Sequence, residues 1–215
     1  MFFIDPSSHT IGRSVSSAPA AFTPSVRFGL GIDADDFRLS PTASSERYSF
    51  HLVHHHRQSL QAYWRLRRTI FCQEQTLFDG CDRDDLDAHA YPIVALDHRL
   101  EGVGPGDGVV GVVRILEERP GLWYGGRLGV DASHRRHNQI GKGLIWKAVT
   151  TAHGWGCQRF LATVQLQNVR FFERLHWHSL ETQDLHGVTH HLMEADLNYY
   201  HPSRECRPTA LVQAA

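Results

Sequence analysis

Apolar and polar positions alternate along this chain in two rhythms, and the rhythm changes at glycines and prolines. From Tyr48 to Val53 apolar residues recur at every second position, which predicts a strand. Leu60, Tyr63, Trp64, Ile70 and Phe71 then recur at helical spacing, with Arg65, Arg67 and Arg68 between them, and predict an amphipathic helix. Phe78–His89 is acidic and turn-like and reads as a loop. Two strands follow, Tyr91–Asp97 and Val109–Leu116, joined as a hairpin by the Gly- and Pro-rich link Glu101–Gly108. A third strand, Trp123–Val130, comes after Pro120-Gly121.

The clearest helical pattern is Ile140, Leu144, Ile145, Ala148, Val149 and Ala152, all on one face of a helix over 140–153. Gly154-Trp155-Gly156 ends it, with glycine at the position that follows a helix C-terminus. Phe160–Gln165 reads as a strand. Asn168 opens a short helix that carries Val169, Phe172 and Leu175. Two final strands are expected around Ser179–Gln183 and Val188–Leu197. The order is β-α-loop-β-β-β-α-β-α-β-β. Its β-α-β step calls for a parallel strand pair, and the meander before it for antiparallel ones. The expected fold class is α/β (α+β), a mixed central sheet of about six to seven strands with about four flanking helices. Residues 1–45, rich in Ser, Pro, Ala and Gly, are expected to form a flexible N-terminal extension, residues 46–200 the domain, and residues 201–215 a loose C-terminal tail.

Composition narrows the function classes. The chain has 215 residues, 41% of them hydrophobic, with a formal net charge of −1, enough for one sizeable core and without the basic excess of a nucleic-acid binder. No apolar run approaches the roughly 20 residues of a membrane span, and the first residues lack the basic and apolar regions of a signal peptide, so the expected location is the cytoplasm. Cys72, Cys81, Cys157 and Cys206 show no paired metal spacing and are expected to be free thiols. The sixteen histidines include the run His54–His56 and the pair His190-His191, but no zinc-ligand pattern accompanies them, and no metal site is expected.

Candidate chemistry concentrates in Leu128–Ile145. A strand end leads into a basic turn with Arg135 and Arg136, then into Gly141 and Gly143, and a helix begins. A helix N-terminus carries unpaired N–H groups and about half a positive charge, and so attracts phosphate. The two glycines leave room for a ligand to approach the main chain. The arrangement suggests a pyrophosphate cradle.

Three segments carry a family resemblance. Arg136-His137-Asn138-Gln139-Ile140-Gly141 is similar to the Arg/Gln-x-x-Gly-x-Gly/Ala turn of the GNAT N-acetyltransferase superfamily, with Gln139 at the first glycine. Ala162–Trp177 resembles the family's strand followed by Asn and Phe-Tyr-Glu-Lys-Leu-Gly-Phe, and Gly187–Met193 resembles the Gly-x-Pro-His-x-x-Met strand of some members. Arg68–His89 looks like the Phe-x-x-Glu-Gln segment shared by an acetyltransferase subgroup and the acyl-homoserine-lactone synthases. The chain is also similar to bacterial acetyltransferases that occur beside nitrilases.

The resemblance implies acetyl transfer from acetyl-CoA, as co-substrate, to the amine of a small molecule. It assigns polarisation of the thioester to the irregular strand end Leu128, Gly129 and Val130. It assigns pyrophosphate binding to the backbone of His137, Asn138, Gln139, Ile140, Gly141, Lys142 and Gly143, helped by Arg135, Arg136 and Lys142. Asn168 is then either a contact of the pantetheine arm or a helix cap. Phe172 stands at the donor site where the family's general-acid tyrosine is expected, and it cannot donate a proton. Glu74 and His190 are the candidate bases, each with an alternative: a hydrogen-bond partner at a helix end for Glu74, a polar strand residue for His190. Asp82, Asp84, Asp85 and Asp87 form either a solvated loop or a lure for a cationic amine, and Arg114 pairs with them or with a substrate carboxylate. An acyl-homoserine-lactone-synthase-like enzyme and a non-catalytic acyl-CoA-binding protein are the alternative functions. In similar proteins the final strands serve as contacts of a homodimer.

Overall fold

The structure, a computed structural model, describes residues 2–3, 47–53, 57–100, 108–136, 138–185 and 187–208. Apart from Phe2–Phe3, the expected N-terminal extension lies outside the described residues, as do His54–His56, most of the Glu101–Gly108 link and the last seven residues of the tail.

Strands β2 (Tyr48–Leu52), β3 (Tyr91–Asp97), β4 (Val109–Arg119) and β5 (Leu122–Val130) form an antiparallel meander. β6 (Arg159–Gln165) joins β5 in parallel, as the intervening helix requires. β7 (Trp177–Leu185) and β8 (Val188–Ala195) close the sheet as a hairpin, with β8 on the inside, so the order is β2-β3-β4-β5-β6-β8-β7. A short strand β1 (Phe2–Phe3) pairs with β6 off this path. The helices are α1 (Arg57–Arg68), α2 (Gln139–Gly154) and α3 (Val169–Glu173). Among the described residues these are the three α-helices, against about four expected. Thr69–Glu74 is a π-helical continuation of α1, and short 3-10 turns lie at Asp85–Ala88, His98–Leu100, Ala132–His134 and Leu166–Asn168.

Strand alternation builds two cores, one on each face. Ile93, Ala95, Val113 and Ile115 face α2 and pack with Ile140, Leu144, Ala148 and Val149. Val94 and Val112 point the other way and pack with Tyr63, Leu66, Ile70 and Phe71 of α1 and its continuation. α2 stops at Gly154, and Gly156 takes the left-handed conformation at φ 91°, which glycine adopts without side-chain strain.

The expectation of a loose tail is corrected over residues 201–208. They have no regular structure but are tied across the end of α2. Ser203 N donates to Thr150 O (2.9 Å), Trp155 Nε1 to Glu205 O (2.7 Å), and Arg207 pairs with Glu117 (2.7 Å). A Cβ on Gly154 would lie 2.2 Å from Ser203 O, so glycine there serves this strap as well as the helix end. Among the described residues no helix is long and apolar enough to cross a membrane, and no cluster of metal-ligating side chains is present.

Candidate active site

β5 and β6 pair only through Leu122–Tyr124 and Arg159–Leu161, and then part. The fork between them is the main discontinuity near the middle of the sheet. β8 occupies the far edge of β6 over Leu161–Gln165, so β1, which pairs with Val164 and Thr163, lies on the β5 side, within the fork. Beyond the parting, β5 carries a bulge. Gly126 opposes Arg114 and Gly129 opposes Val112, which leaves Arg127 and Leu128 together opposite Val113. Arg127 sits at φ 52°, a left-handed conformation that costs a non-glycine residue about 1–3 kcal/mol. Gly129 is glycine for packing: a Cβ there would lie 2.8 Å from Ile70 Cδ1. On the α2 side of the fork, Leu128, Ile145, Val149, Phe160, Phe172 and Trp177 line a small apolar recess.

The expected anion cradle lies at the mouth of this fork, but it is narrower than the sequence reading. The Asn138 side chain makes no capping hydrogen bond, and Lys142 N already donates to Asn138 O (3.0 Å). Helical bonding therefore leaves the N–H groups of Asn138, Gln139, Ile140 and Gly141 without an intrahelical acceptor, whereas Lys142 and the residues after it are engaged. His137 lies outside the described residues. The Gly143 reading is corrected: a Cβ there would overlap the Phe50 ring at 2.0–2.6 Å, so this glycine lets α2 pack on β2 and does not face a ligand. Gly141 is open, with Phe171 no nearer than 3.8 Å. Arg135 is corrected too. Its Nε donates to Val130 O (2.8 Å) and its Nη2 to Glu74 Oε2, so it ties the strand end to the π-helical segment instead of facing the helix N-terminus. Arg136 is exposed and makes no ion pair among the described residues.

The two candidate bases differ in surroundings. Glu74, at the end of the π-helical segment, is paired with Arg135. This is the structural partnership that was one of its two readings. His190 is only 3% exposed, on β8 opposite Gln165 of β6. Its Nδ1 lies 2.7 Å from Val188 O, which can only accept. Nδ1 therefore carries the proton, and in the neutral ring Nε2 is the basic nitrogen. Asn168 stands at the start of α3 but its side chain makes no capping hydrogen bond, so the capping expectation is not met. Phe172 is buried, edge-on to Trp177 with ring centres 5.0 Å apart.

A second constellation was legible only in part: Arg114 meets the acidic loop, as one of its two readings had it, and Arg67 and Arg127, not connected to it in the sequence, join them. Arg67, Arg114 and Arg127 are all buried, at 0%, 0% and 2% exposure. The loop read as solvated wraps around them. Arg67 Nε donates to Asp82 (2.7 Å) and Nη1 to Asp87 (2.6 Å). Arg114 binds Asp84 through both terminal nitrogens (2.6 and 2.8 Å) and also reaches Asp87 (2.7 Å). Arg127 Nη2 donates to Asp84 Oδ2 (2.9 Å) and to Asp82 O (3.1 Å). Three cations meet three carboxylates, which is what makes their burial tolerable. Burial alone would push the Asp87 carboxyl up, but hydrogen bonds from Arg67 and the charge of Arg114 outweigh it and hold the group below the usual carboxylate range. Burial, and after it the neighbouring charges of Arg114 and Arg67, push Arg127 down to about 10. Neither a solvated loop nor a lure for an amine describes these aspartates; of the four, Asp85 alone remains exposed.

Comparison with known proteins places this architecture. An acyl-CoA N-acyltransferase from Pseudomonas aeruginosa superposes with a TM-score of 0.56 at 18% identity, over 69% of this chain and 99% of that one. Escherichia coli ElaA gives 0.55 at 21% identity over 69% and 99%. A CoA-dependent acyl-homoserine lactone synthase, BjaI, solved with SAM and isopentyl-CoA, gives 0.56 at 16% identity over 71% and 86%. At these identities the likeness establishes the fold. Comparison with curated proteins gives no match. The Acetyltransferase (GNAT) family model matches residues 54–177, a span from the start of α1 to the strand after α3 that takes in the fork, the bulge and the uncapped helix, and by that match the chain belongs to the GNAT family of acyl-CoA N-acyltransferases.

Proposed function

We propose that this chain transfers an acetyl group from acetyl-CoA to the amine of a small molecule. The observation that carries the donor half is the uncapped start of α2, where the N–H groups of Asn138–Gly141 lack an intrahelical acceptor beside the exposed guanidinium of Arg136. Phosphate bound there is held by backbone dipoles, with Arg136 and the Lys142 side chain adding charge. The pantetheine arm runs from that turn into the fork, where the parted edges of β5 and β6 offer backbone partners to its amides, the β6 edge at Thr163 and Val164 being the one that β1 also pairs with. The irregular backbone at Leu128–Val130 polarises the thioester oxygen, where negative charge builds in the transition state.

His190 is the base on this reading. The Val188 carbonyl fixes its tautomer, and Nε2 takes the proton from the ammonium or the attacking amine, directly or through one water. Glu74, held by Arg135, keeps the mouth of the fork in shape. Phe172 supplies no proton to the leaving sulfur. The thiolate departs as an anion, which a thiol pKa near about 8.5 allows. The recess that Phe172 lines receives the methyl group. The enzyme acts in the cytoplasm.

Calorimetry with acetyl-CoA, followed by thiol release across an amine panel, tests this. Native binding that is lost in Arg136→Ala, with turnover that is lost in His190→Gln, is the expected result. Binding without turnover on any amine makes the protein an acyl-CoA-binding module. Lactone formed from S-adenosylmethionine makes it a synthase of the BjaI kind.

A further inference from the structure

A bulge persists only while its surroundings enforce it. In β5 the enforcement comes from a side chain. Arg127 adopts φ 52° and, with Leu128, opposes Val113 alone. Its guanidinium is buried, bonded to Asp84 Oδ2 (2.9 Å) and Asp82 O (3.1 Å), and lies 4.5 Å from the centre of the Phe78 ring. These acceptors belong to the acidic loop. The loop's carboxylates are fixed in turn by Arg114 from the adjacent strand β4 and by Arg67 from α1. The bulge is thus tied through one chain of contacts to a neighbouring strand and a helix. The three arginines and three aspartates balance, so the network adds little net charge to the fork and its effect there is geometric.

Resting on the reading that the β5 backbone polarises the donor thioester, we propose that Arg127 is a positioning residue: through Asp84 and Asp82 it holds the bulge that aims the Leu128–Val130 backbone at the thioester oxygen, and it touches no reacting atom itself. Misaim of a polarising donor costs roughly 100-fold in kcat. Binding of the nucleotide end at the start of α2 is left intact.

The test is the infrared carbonyl band of acetyl-CoA labelled with carbon-13 at the carbonyl, bound to the native protein, to Arg127→Gly and to Asp84→Asn. Glycine tolerates the left-handed backbone but loses the anchor. Asp84→Asn leaves Arg127 in place and weakens the anchor from its half-exposed end, so it carries the test should Arg127→Gly fail to fold. In the native protein the band should lie below that of free acetyl-CoA. In either folded variant it should return towards the free value, while the Kd of CoA without its acetyl group changes less than about threefold. Arg127→Lys, which restores a cation for Asp84, should recover part of the shift. A band as low in the variants as in the native protein overturns the positioning role. If CoA and acetyl-CoA do not bind the native protein, the donor-site reading fails and this inference with it.

Discussion

Gly141 and Gly143 are two residues apart, yet the structure gives them separate duties, and substitutions at each should separate binding from stability. At Gly141 a new Cβ meets nothing closer than Phe171 at 3.8 Å, an ordinary contact. Alanine is the better helix former, by up to about 1 kcal/mol, so Gly141→Ala should leave the melting temperature unchanged or slightly raised. Every Cα–Cβ bond in a helix tilts towards its N-terminus, so a side chain at 141 leans to the side where the phosphate would sit; the alanine that the resembling turn admits here fits, whereas the indole of Gly141→Trp takes the place of the phosphate. Displacing one charge-assisted hydrogen bond costs about 1.5–3 kcal/mol, which is roughly 10- to 100-fold in Kd. At Gly143 the added carbon would fall within 2.0–2.6 Å of three Phe50 ring carbons, and the ring must move off β2. Overpacking of this kind costs about 1–3 kcal/mol, or some 2–4 °C of Tm for each kcal/mol in a domain of this size. Gly143→Ala should therefore melt lower, with its acetyl-CoA affinity nearly unchanged in the protein that remains folded. Thermal unfolding by circular dichroism and calorimetry with acetyl-CoA read the two effects. A folded Gly141→Trp that binds acetyl-CoA as the native protein does would refute the cradle at this turn. A Gly143→Ala with native Tm would refute the packing explanation.

Three further outcomes follow from the same geometry. Arg67→Ala leaves Asp82 and Asp87 buried without their main partner and should lower unfolding free energy in urea by about 3–5 kcal/mol; a loss under about 1 kcal/mol would mean that water or a rearranged loop replaces the guanidinium. Acid should act through Asp87, whose folded carboxyl titrates below its ordinary value: its contribution is complete above about pH 5 and is lost as pH falls below about 4 through the folded value. A melting temperature that already declines between pH 7 and 5 would contradict that sign. Phe3→Pro, which fixes φ in a two-residue strand, should disturb the β1–β6 pairing inside the fork, so acetyl-CoA should bind more tightly if the arm and β1 compete for the same edge, and equal affinity would show that they do not.

The sequence was most informative where apolar patterning dominated. The continuous apolar runs of Tyr91–Asp97 and Val109–Leu116 and the apolar face of α2 translate directly into two cores, because a strand apolar on both sides must be covered on both and an amphipathic helix supplies such a cover. Charge read alone was ambiguous: Arg114 pairs with the aspartates, which was one of its two readings, whereas Arg67 and Arg127 were not connected to them. Arg67 looked like the polar side of an amphipathic helix, and the aspartates of 82–87 looked like a solvated turn, because their partners lie far apart in the chain: Arg67 is 15 and 20 residues from Asp82 and Asp87, and Arg114 is 30 from Asp84. Arg114 did carry a signal. It interrupts Val109–Leu116, a strand apolar enough to be buried on both faces, and an arginine in such a strand needs an acid to meet it. Arg135 misled for the opposite reason: a basic residue beside a phosphate-type turn was credited to the phosphate, although the Val130 carbonyl, five residues away, claims it first.

The position of the charge network also says why a buried ion cluster is placed here. Apolar residues of similar volume would stabilise the same core as well or better, so stability alone does not account for three arginines. Apolar packing is forgiving, however, and tolerates a register slip that a fork of ion pairs with fixed directions does not. Directional contacts are of most use where backbone must hold an unfavourable shape, and Arg127 is the member of the network with φ 52°. The cost of burying the charges and the cost of the left-handed residue fall at the same place, three residues along β5 from its last pair with β6 at Tyr124, and they leave the sheet irregular beside the fork proposed for the acyl donor.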